Sequence, residues 1–372
     1  MGVVSALISC TPPNGLGSQD AGSFCIDGNV IKVVTSLKTA GSTKYGKSGN
    51  PTGNFFFDTS GKIVTGGTTA ADSGYYCTSS GCEEITTGTY INSKATTLVC
   101  AYTDGLSCKT ADQGKTYYDT SSAKVIVCPN SNRCTLTANN GYYIDYGATS
   151  SDKLIKCTDN TCSPVSINTK TEFYLNAGLD KSTNPIIYGD TSQYTTIEGN
   201  TSAVFVDSNS DSDKTVATST YTNIIVCSTK TKCSSVAYNS DLGIYLNADP
   251  TSGKAQLIQC DSTGCIEKML NDVLASGSNS STIYYVDKLS SKLIECKNSS
   301  GVTCTITTTD TSGKYYLDYA KASPSTNCPK TTGATPAIIG FCSLNIISCN
   351  SSQICTSNTI SKNSQFLDGD VS

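Results

Sequence analysis

Twenty cysteines and no histidine frame the chemistry open to this chain of 372 residues. Sixteen of the cysteines stand in close pairs with four to seven residues between them: Cys77/Cys82, Cys100/Cys108, Cys128/Cys134, Cys157/Cys162, Cys227/Cys233, Cys260/Cys265, Cys296/Cys304 and Cys349/Cys355. Zinc is one chemistry such pairs could serve, but structural zinc sites favour two-residue spacers and are often completed by His. One copy separates the readings. After the strand PIIY, Tyr188 and Tyr194 stand where a Cys pair is expected, so both cysteines are replaced together. Cysteines lost as a pair were bonded to each other. Disulfides follow, and with them an oxidising, extracellular setting. Proximity and parity pair the remainder as Cys10–Cys25 and Cys328–Cys342. By the loop-entropy model each small loop contributes about 2 kcal/mol, which compensates for a thin core.

Catalytic and metal chemistry find little else to use. Without His, the Ser-His-Asp and Cys-His arrangements and the commonest metal ligand are missing. The stretch DSNSDSD, Asp207 to Asp213, has the spacing of a calcium loop, but Ser212 replaces its Gly and Thr218 its closing Glu. A solvated acidic turn is the better reading. No cofactor, metal or catalytic residue is expected, and a net charge of −4 without a basic cluster excludes a polyanion partner. No apolar run approaches the length of a membrane-spanning helix. Sequons at Asn200, Asn279, Asn298 and Asn350 predict glycans on exposed turns if the chain is secreted from a eukaryote.

The elements that position these residues recur. Eleven times the chain writes an aromatic, an apolar residue, then Asp or Asn, as in YYID ending at Asp145, FYLN at Asn176, IYLN at Asn247, YYVD at Asp287 and YYLD at Asp318. A short apolar strand ending in Cys usually follows: KVIVC, KLIKC, NIIVC, QLIQC and KLIEC. The period predicts an all-β protein of tandem short-strand repeats of about 31 residues, a solenoid-like elongated array stapled by intra-repeat disulfides. A string of small β-domains fits the variable period equally well. The approximate units are 1–23, 24–54, 55–88, 89–115, 116–141, 142–172, 173–203, 204–243, 244–282, 283–314, 315–365 and 366–372, the last only the start of a further unit. Starting and stopping in mid-repeat predicts an excised piece of a longer secreted array, with Met1-Gly2 added for expression. Only Glu267 to Leu274 suggests a turn of helix.

Alternation assigns faces. The residue two before the first Cys is apolar in every copy, so it and the Cys point inward. In the aromatic element the first aromatic and the third residue share that inner role. The second Tyr and the Asp or Asn take the other face, aligning Tyr90/Asn92, Tyr143/Asp145, Tyr174/Asn176, Tyr245/Asn247, Tyr285/Asp287 and Tyr316/Asp318 as a stripe. Such a stripe is good binding chemistry, an apolar body beside a polar acceptor. The competing reading packs Tyr between adjacent coils and uses Asp or Asn to close the following turn.

The unit YYLD…KLI-x-C-x4–7-C resembles the cysteine-containing repeats of scaffoldins from the cellulosomes of anaerobic gut fungi, clearest from Thr89 to Asp318. The resemblance implies a large non-catalytic extracellular glycoprotein whose repeats act as cohesin-like modules. Its expected partners are dockerin-bearing secreted glycoside hydrolases, with no nucleic acid. Attachment to a cell surface would run through parts of the protein outside this chain. The alternative expectation is a structural or adhesive surface protein that binds glycan or acts as a spacer. A hydrolase is the third, disfavoured because no constellation stands out against the repeat.

Overall fold

In a computed structural model the strand backbones within residues 8–49 are described. From Pro51 to Thr359 all residues are described except 59–62, 67–68, 72, 80, 103–104, 131–132, 149–152, 167–170, 191, 212–219, 239–240, 250–254, 271–281, 299–300, 308–310 and 321–344, with 69–70 and 81 described by backbone alone. The described chain is β-structure throughout, save one 3-10 turn at Ser208–Ser210. It forms two compact bodies, one of Met1–Thr169, Asn176–Ser182 and Gly189–Thr195, the other of Lys170–Leu175, Thr183–Tyr188 and Thr196–Ser372.

Each unit is a meander of three antiparallel strands: an aromatic strand, a central strand ending near the first Cys, and a third strand carrying the second Cys. In the first body these are Gly53–Phe57, Ser73–Thr78 and Gly81–Glu84; Gly88–Ile91, Leu98–Tyr102 and Leu106–Thr110; Lys115–Asp119, Lys124–Asn130 and Arg133–Thr137; and Gly141–Ile144, Leu154–Thr158 and Thr161–Val165. Strand Thr69–Ala70 adds to the second of these sheets. The second body holds Ala203–Val206, Asn223–Thr229 and Lys232–Ala237; Gly243–Leu246, Leu257–Asp261 and Gly264–Lys268; Thr282–Val286, Leu293–Asn298 and Val302–Ile306; and Tyr315–Leu317, Asn345–Cys349 and Cys355–Thr359. The Cys-less sheet comprises Glu172–Leu175, Ile186–Gly189 and Tyr194–Ile197. At the start, Ile8–Ser9 runs parallel to Phe24–Asp27 in one sheet with Val30–Ala40 and Thr43–Gly49, so the first two expected units share a sheet.

The cysteine spacing fixes the second hairpin. Cys157 faces Cys162 across a two-residue turn, with Asp159 at φ 51° and Asn160 at φ 63°. One of the two favoured two-residue hairpin turns has both central residues left-handed, and Asp and Asn tolerate that better than most. Directly opposed cysteines lie close enough to bridge, and the eight close pairs are disulfides with Cα–Cα distances of 3.9–4.2 Å. The expected pairs Cys10–Cys25 and Cys328–Cys342 lie outside the residues whose side chains are described.

Burial follows the repeat. The residue two before the first Cys is buried in every described copy, from Tyr75 through Leu98, Ile126, Ile155, Ile225, Ile258 and Ile294 to Ile347, and in Ile186 of the Tyr copy. Three before the Cys, on the opposite face, Val125, Leu154, Ile224, Leu257 and Leu293 are buried as well. Successive sheets therefore cover both faces of the central strand. Val125 packs in one cluster with Tyr143, Ile155 and Cys157 of the next unit, and Leu293 does so with Tyr316, Ile347 and Cys349. The helical turn expected from Glu267 is corrected: Glu267 and Lys268 extend the strand from Gly264, with Ile258 opposite Glu267. Tertiary pairing with the cysteine strand overrides a weak local helix signal.

Candidate functional site

The Tyr/Asp stripe is internal. Tyr90, Asn92, Tyr143, Asp145, Tyr174, Asn176, Tyr245, Tyr285, Asp287, Tyr316 and Asp318 are all at most 8% exposed, and Asn247 is half-buried. The exposed docking stripe is thereby corrected, because a sheet covered on both faces has no solvated side for it to occupy. The Tyr hydroxyls end inside the fold: Tyr143 donates to the Asn139 carbonyl at 2.9 Å and Tyr174 to Glu172 Oε1 at 2.8 Å. Burial pushes the Tyr285 phenol well above its ordinary pKa, with Tyr319 and Asp318 adding to the rise.

What the Asp or Asn does is join one unit to the next. Asp119 Oδ1 accepts the Ile91 N–H of the preceding unit at 3.1 Å, and Asp287 Oδ1 accepts that of Leu246 at 3.3 Å. The remaining acceptor positions close the following turn, as in Ser122 N–H to Asp119 Oδ2 at 3.0 Å and Gly178 N–H to Asn176 Oδ1 at 2.8 Å. One residue further on, a backbone bond repeats with constant offset. Thr120 donates to the Thr89 carbonyl, Tyr146 to Thr116, Ala177 to Tyr142, Ala248 to Val204, Lys288 to Ile244 and Tyr319 to Tyr284, at 2.8–3.2 Å. A glycine often opens the strand where this contact forms. A Cβ on Gly141 (φ 141°) would stand 2.5 Å from the Ala177 Cβ, and one on Gly88 (φ 92°) 2.3 Å from Thr120 Oγ1.

The second cysteine carries a further junction that sequence reasoning missed. The N–H groups of Cys134, Cys162, Cys265 and Cys355 donate to the carbonyls of Thr96, Ala123, Tyr221 and Ser291 in the preceding unit, at 2.7–2.9 Å. A bond to a turn carbonyl uses no side chain, so it leaves no mark in the sequence.

Among the junction carboxylates Asp145 titrates unusually. Burial raises its pKa to about 6, against the opposing pull of the Gly147, Tyr118 and Ala148 N–H groups. A carboxyl whose pKa is raised on folding stabilises the fold most below its unfolded value near 4 and loses that contribution as pH climbs through 6. The lost amount is on the order of 3 kcal/mol. Asp145→Asn is expected to remove this share of the pH dependence, since Asn fills the same position at 92, 176 and 247. Urea unfolding at pH 4 and pH 7 checks it: an unchanged difference in the variant would assign the dependence elsewhere.

Around the calcium-like stretch, Asp207 is buried rather than solvated. It caps the 3-10 turn by accepting the Asn209 N–H at 3.0 Å and also accepts the Ser235 hydroxyl. Asp213 lies outside the described residues, within which no group of three or more acidic, Cys or His side chains is placed to hold a metal. Of the sequons, Asn200 and Asn350 are exposed, Asn298 is half-buried and Asn279 is outside the described residues.

Two features remain open to solvent. Among the described strand residues, the third strands carry most of the exposed side chains, including Leu136, Val236 and Ile266, which are 40–45% exposed. The second body also holds a concavity of about 300 Å³ spanning three successive units, lined from Leu242–Ile244 through Val286–Lys288 to Asp318 and Thr356–Ser357. No helix of the described residues is long and apolar enough to cross a membrane.

Fold and geometry together define an all-β repeat protein built of disulfide-stapled three-strand units. No protein-family model matches the chain, and no curated protein does.

Proposed function

We propose that the chain is a non-catalytic extracellular scaffold whose repeats dock the dockerin modules of plant-cell-wall-degrading enzymes. The observation that carries this reading is repetition of one outward element. Each disulfide-stapled unit covers its aromatic and central strands with its neighbours, while its third strand, tied in by the second cysteine, turns most of its other side chains to solvent. A rigid, pre-ordered surface costs little ordering entropy on docking. Repeating it raises the local concentration of several partners on a shared solid substrate. The eight disulfides are consistent with an oxidising compartment. The identity of the partner rests on the sequence resemblance.

Pull-down against the secreted proteins of a cellulose-grown anaerobic fungus tests it. Dockerin-bearing hydrolases are expected to be captured by the intact chain and lost on prior reduction. Changing Leu136, Val236 and Ile266 together to Ser is expected to weaken capture several-fold while moving the thermal transition by only a few degrees, about the effect of surface changes. Capture of no such enzyme by the intact chain would leave the spacer or adhesin reading, which the burial of the Tyr/Asp stripe independently favours.

A further inference from the structure

We infer that the concavity of the second body is a binding site for a neutral saccharide unit. Its floor and walls come from three successive units, so it exists only where they stack. Two lining residues, Asp287 and Asp318, are almost wholly buried, with their carboxylates held in place by hydrogen bonds. Asp318 accepts the Ala320 N–H at 3.0 Å and the Ser357 hydroxyl. Asp287 accepts the Ser290 N–H and hydroxyl at 2.8 and 2.6 Å, besides the Leu246 N–H. A carboxylate offers about four acceptor positions, so hydrogen bonds within the fold leave about two of Asp318 and about one of Asp287 unfilled.

The lining also carries donors. The exposed Lys288 ammonium and the Ser291 hydroxyl line the same concavity, and neither has a side-chain hydrogen bond or ion pair among the described residues. The ligand must therefore supply donors and acceptors together. An ammonium group supplies donors alone, so it leaves Lys288 unserved and is repelled by its charge. A carboxylate or phosphate supplies acceptors alone and is repelled by the two buried Asp side chains. A hydroxyl does both. Part of the wall is aliphatic, from Leu242, Ile244, Val286 and Ala320, and suits the C–H face of a sugar ring. The volume sits at the low end of ligand sites, enough for one or two rings. The site takes Thr356 and Ser357 from the third strand of one unit and leaves untouched the third strands that carry Leu136, Val236 and Ile266, on which the docking test falls.

The test titrates the full chain with cellobiose, glucosamine and glucuronate, followed by saturation-transfer NMR and calorimetry. Cellobiose is expected to bind in the millimolar range, more tightly than the cationic or the anionic sugar. Thr356→Arg places a long cation on the exposed lining position and is expected to weaken cellobiose at least about tenfold. Lys288→Ala is expected to weaken it about three- to tenfold. Neither exposed substitution should move the unfolding transition appreciably. Absence of cellobiose binding, tighter binding of either charged sugar, or cellobiose affinity retained by Thr356→Arg would each overturn the assignment. Enzyme capture by the Thr356→Arg chain, measured alongside, is expected to persist, so a failure of this site is distinguishable from a failure of the scaffold reading.

Discussion

Full reduction of the disulfides is expected to abolish the cooperative unfolding transition under conditions where the oxidised chain stays folded. Each described bridge closes a loop of five to eight residues in sequence. The loop-entropy model assigns about 2 kcal/mol to each. Eight of them exceed the 5–15 kcal/mol by which folded domains are ordinarily stable. The loss goes beyond chain entropy, because the half-cystines are also core. Cys100, Cys108, Cys128, Cys260 and Cys265 are fully enclosed, and Cys128 packs with Ile91, Val99 and Tyr117. Burial also sets the order of attack. Cys82, Cys233 and Cys304 are half-exposed, so their three bridges are expected to be reduced first, and Cys260–Cys265 only after local opening. Thiol counting against time, with near-ultraviolet circular dichroism of the same samples, measures both. A transition that survives titration of every thiol would show that stacking alone holds the units together.

Why one half of the repeat was legible and the other not is a matter of what alternation can say. It assigns each side chain to one of two faces, and at the position two before the Cys it places Ile126, Ile155 and Ile225 correctly because that face is buried in every copy. It does not say whether the opposite face is covered. The clue lay one residue earlier, where Val125, Leu154, Ile224, Leu257 and Leu293 are apolar too. A central strand apolar on both faces is one buried on both faces. With that, the second Tyr and the Asp of the aromatic strand have nowhere to lie but between sheets. The concavity of the second body was invisible for a different reason. Lys288 and Ser291 come from one unit and Thr356 from the next, and neither the Lys nor the Ser recurs at its equivalent position in the other described units, so periodicity carries no signal for the concavity.

Asp119→Ala is expected to be the most damaging single substitution at a unit junction, costing about 3–5 kcal/mol. The side chain is completely buried and serves four donors at once: the Ile91 N–H at 3.1 Å, the Ser121 hydroxyl at 2.7 Å, and the Ser122 N–H and hydroxyl at 3.0 and 2.6 Å. Alanine leaves the buried Ile91 N–H and three half-buried groups without this acceptor and opens space between two stacked sheets. Asp119→Asn keeps one acceptor oxygen and is expected to cost markedly less, as Asn92 fills the corresponding place one unit earlier. In an array held by nearest-neighbour terms, a weakened junction costs cooperativity as well as stability. Amide exchange at Ile91 and at Thr120, which donates to the Thr89 carbonyl at 3.0 Å, should therefore accelerate ahead of exchange at Ile126 within the sheet. Urea unfolding of the two variants beside the parent decides the matter. A loss below about 1 kcal/mol for Asp119→Ala would mean that water or a neighbouring group replaces the carboxylate. The recurring Asp would then close a turn within its own unit and couple it to nothing.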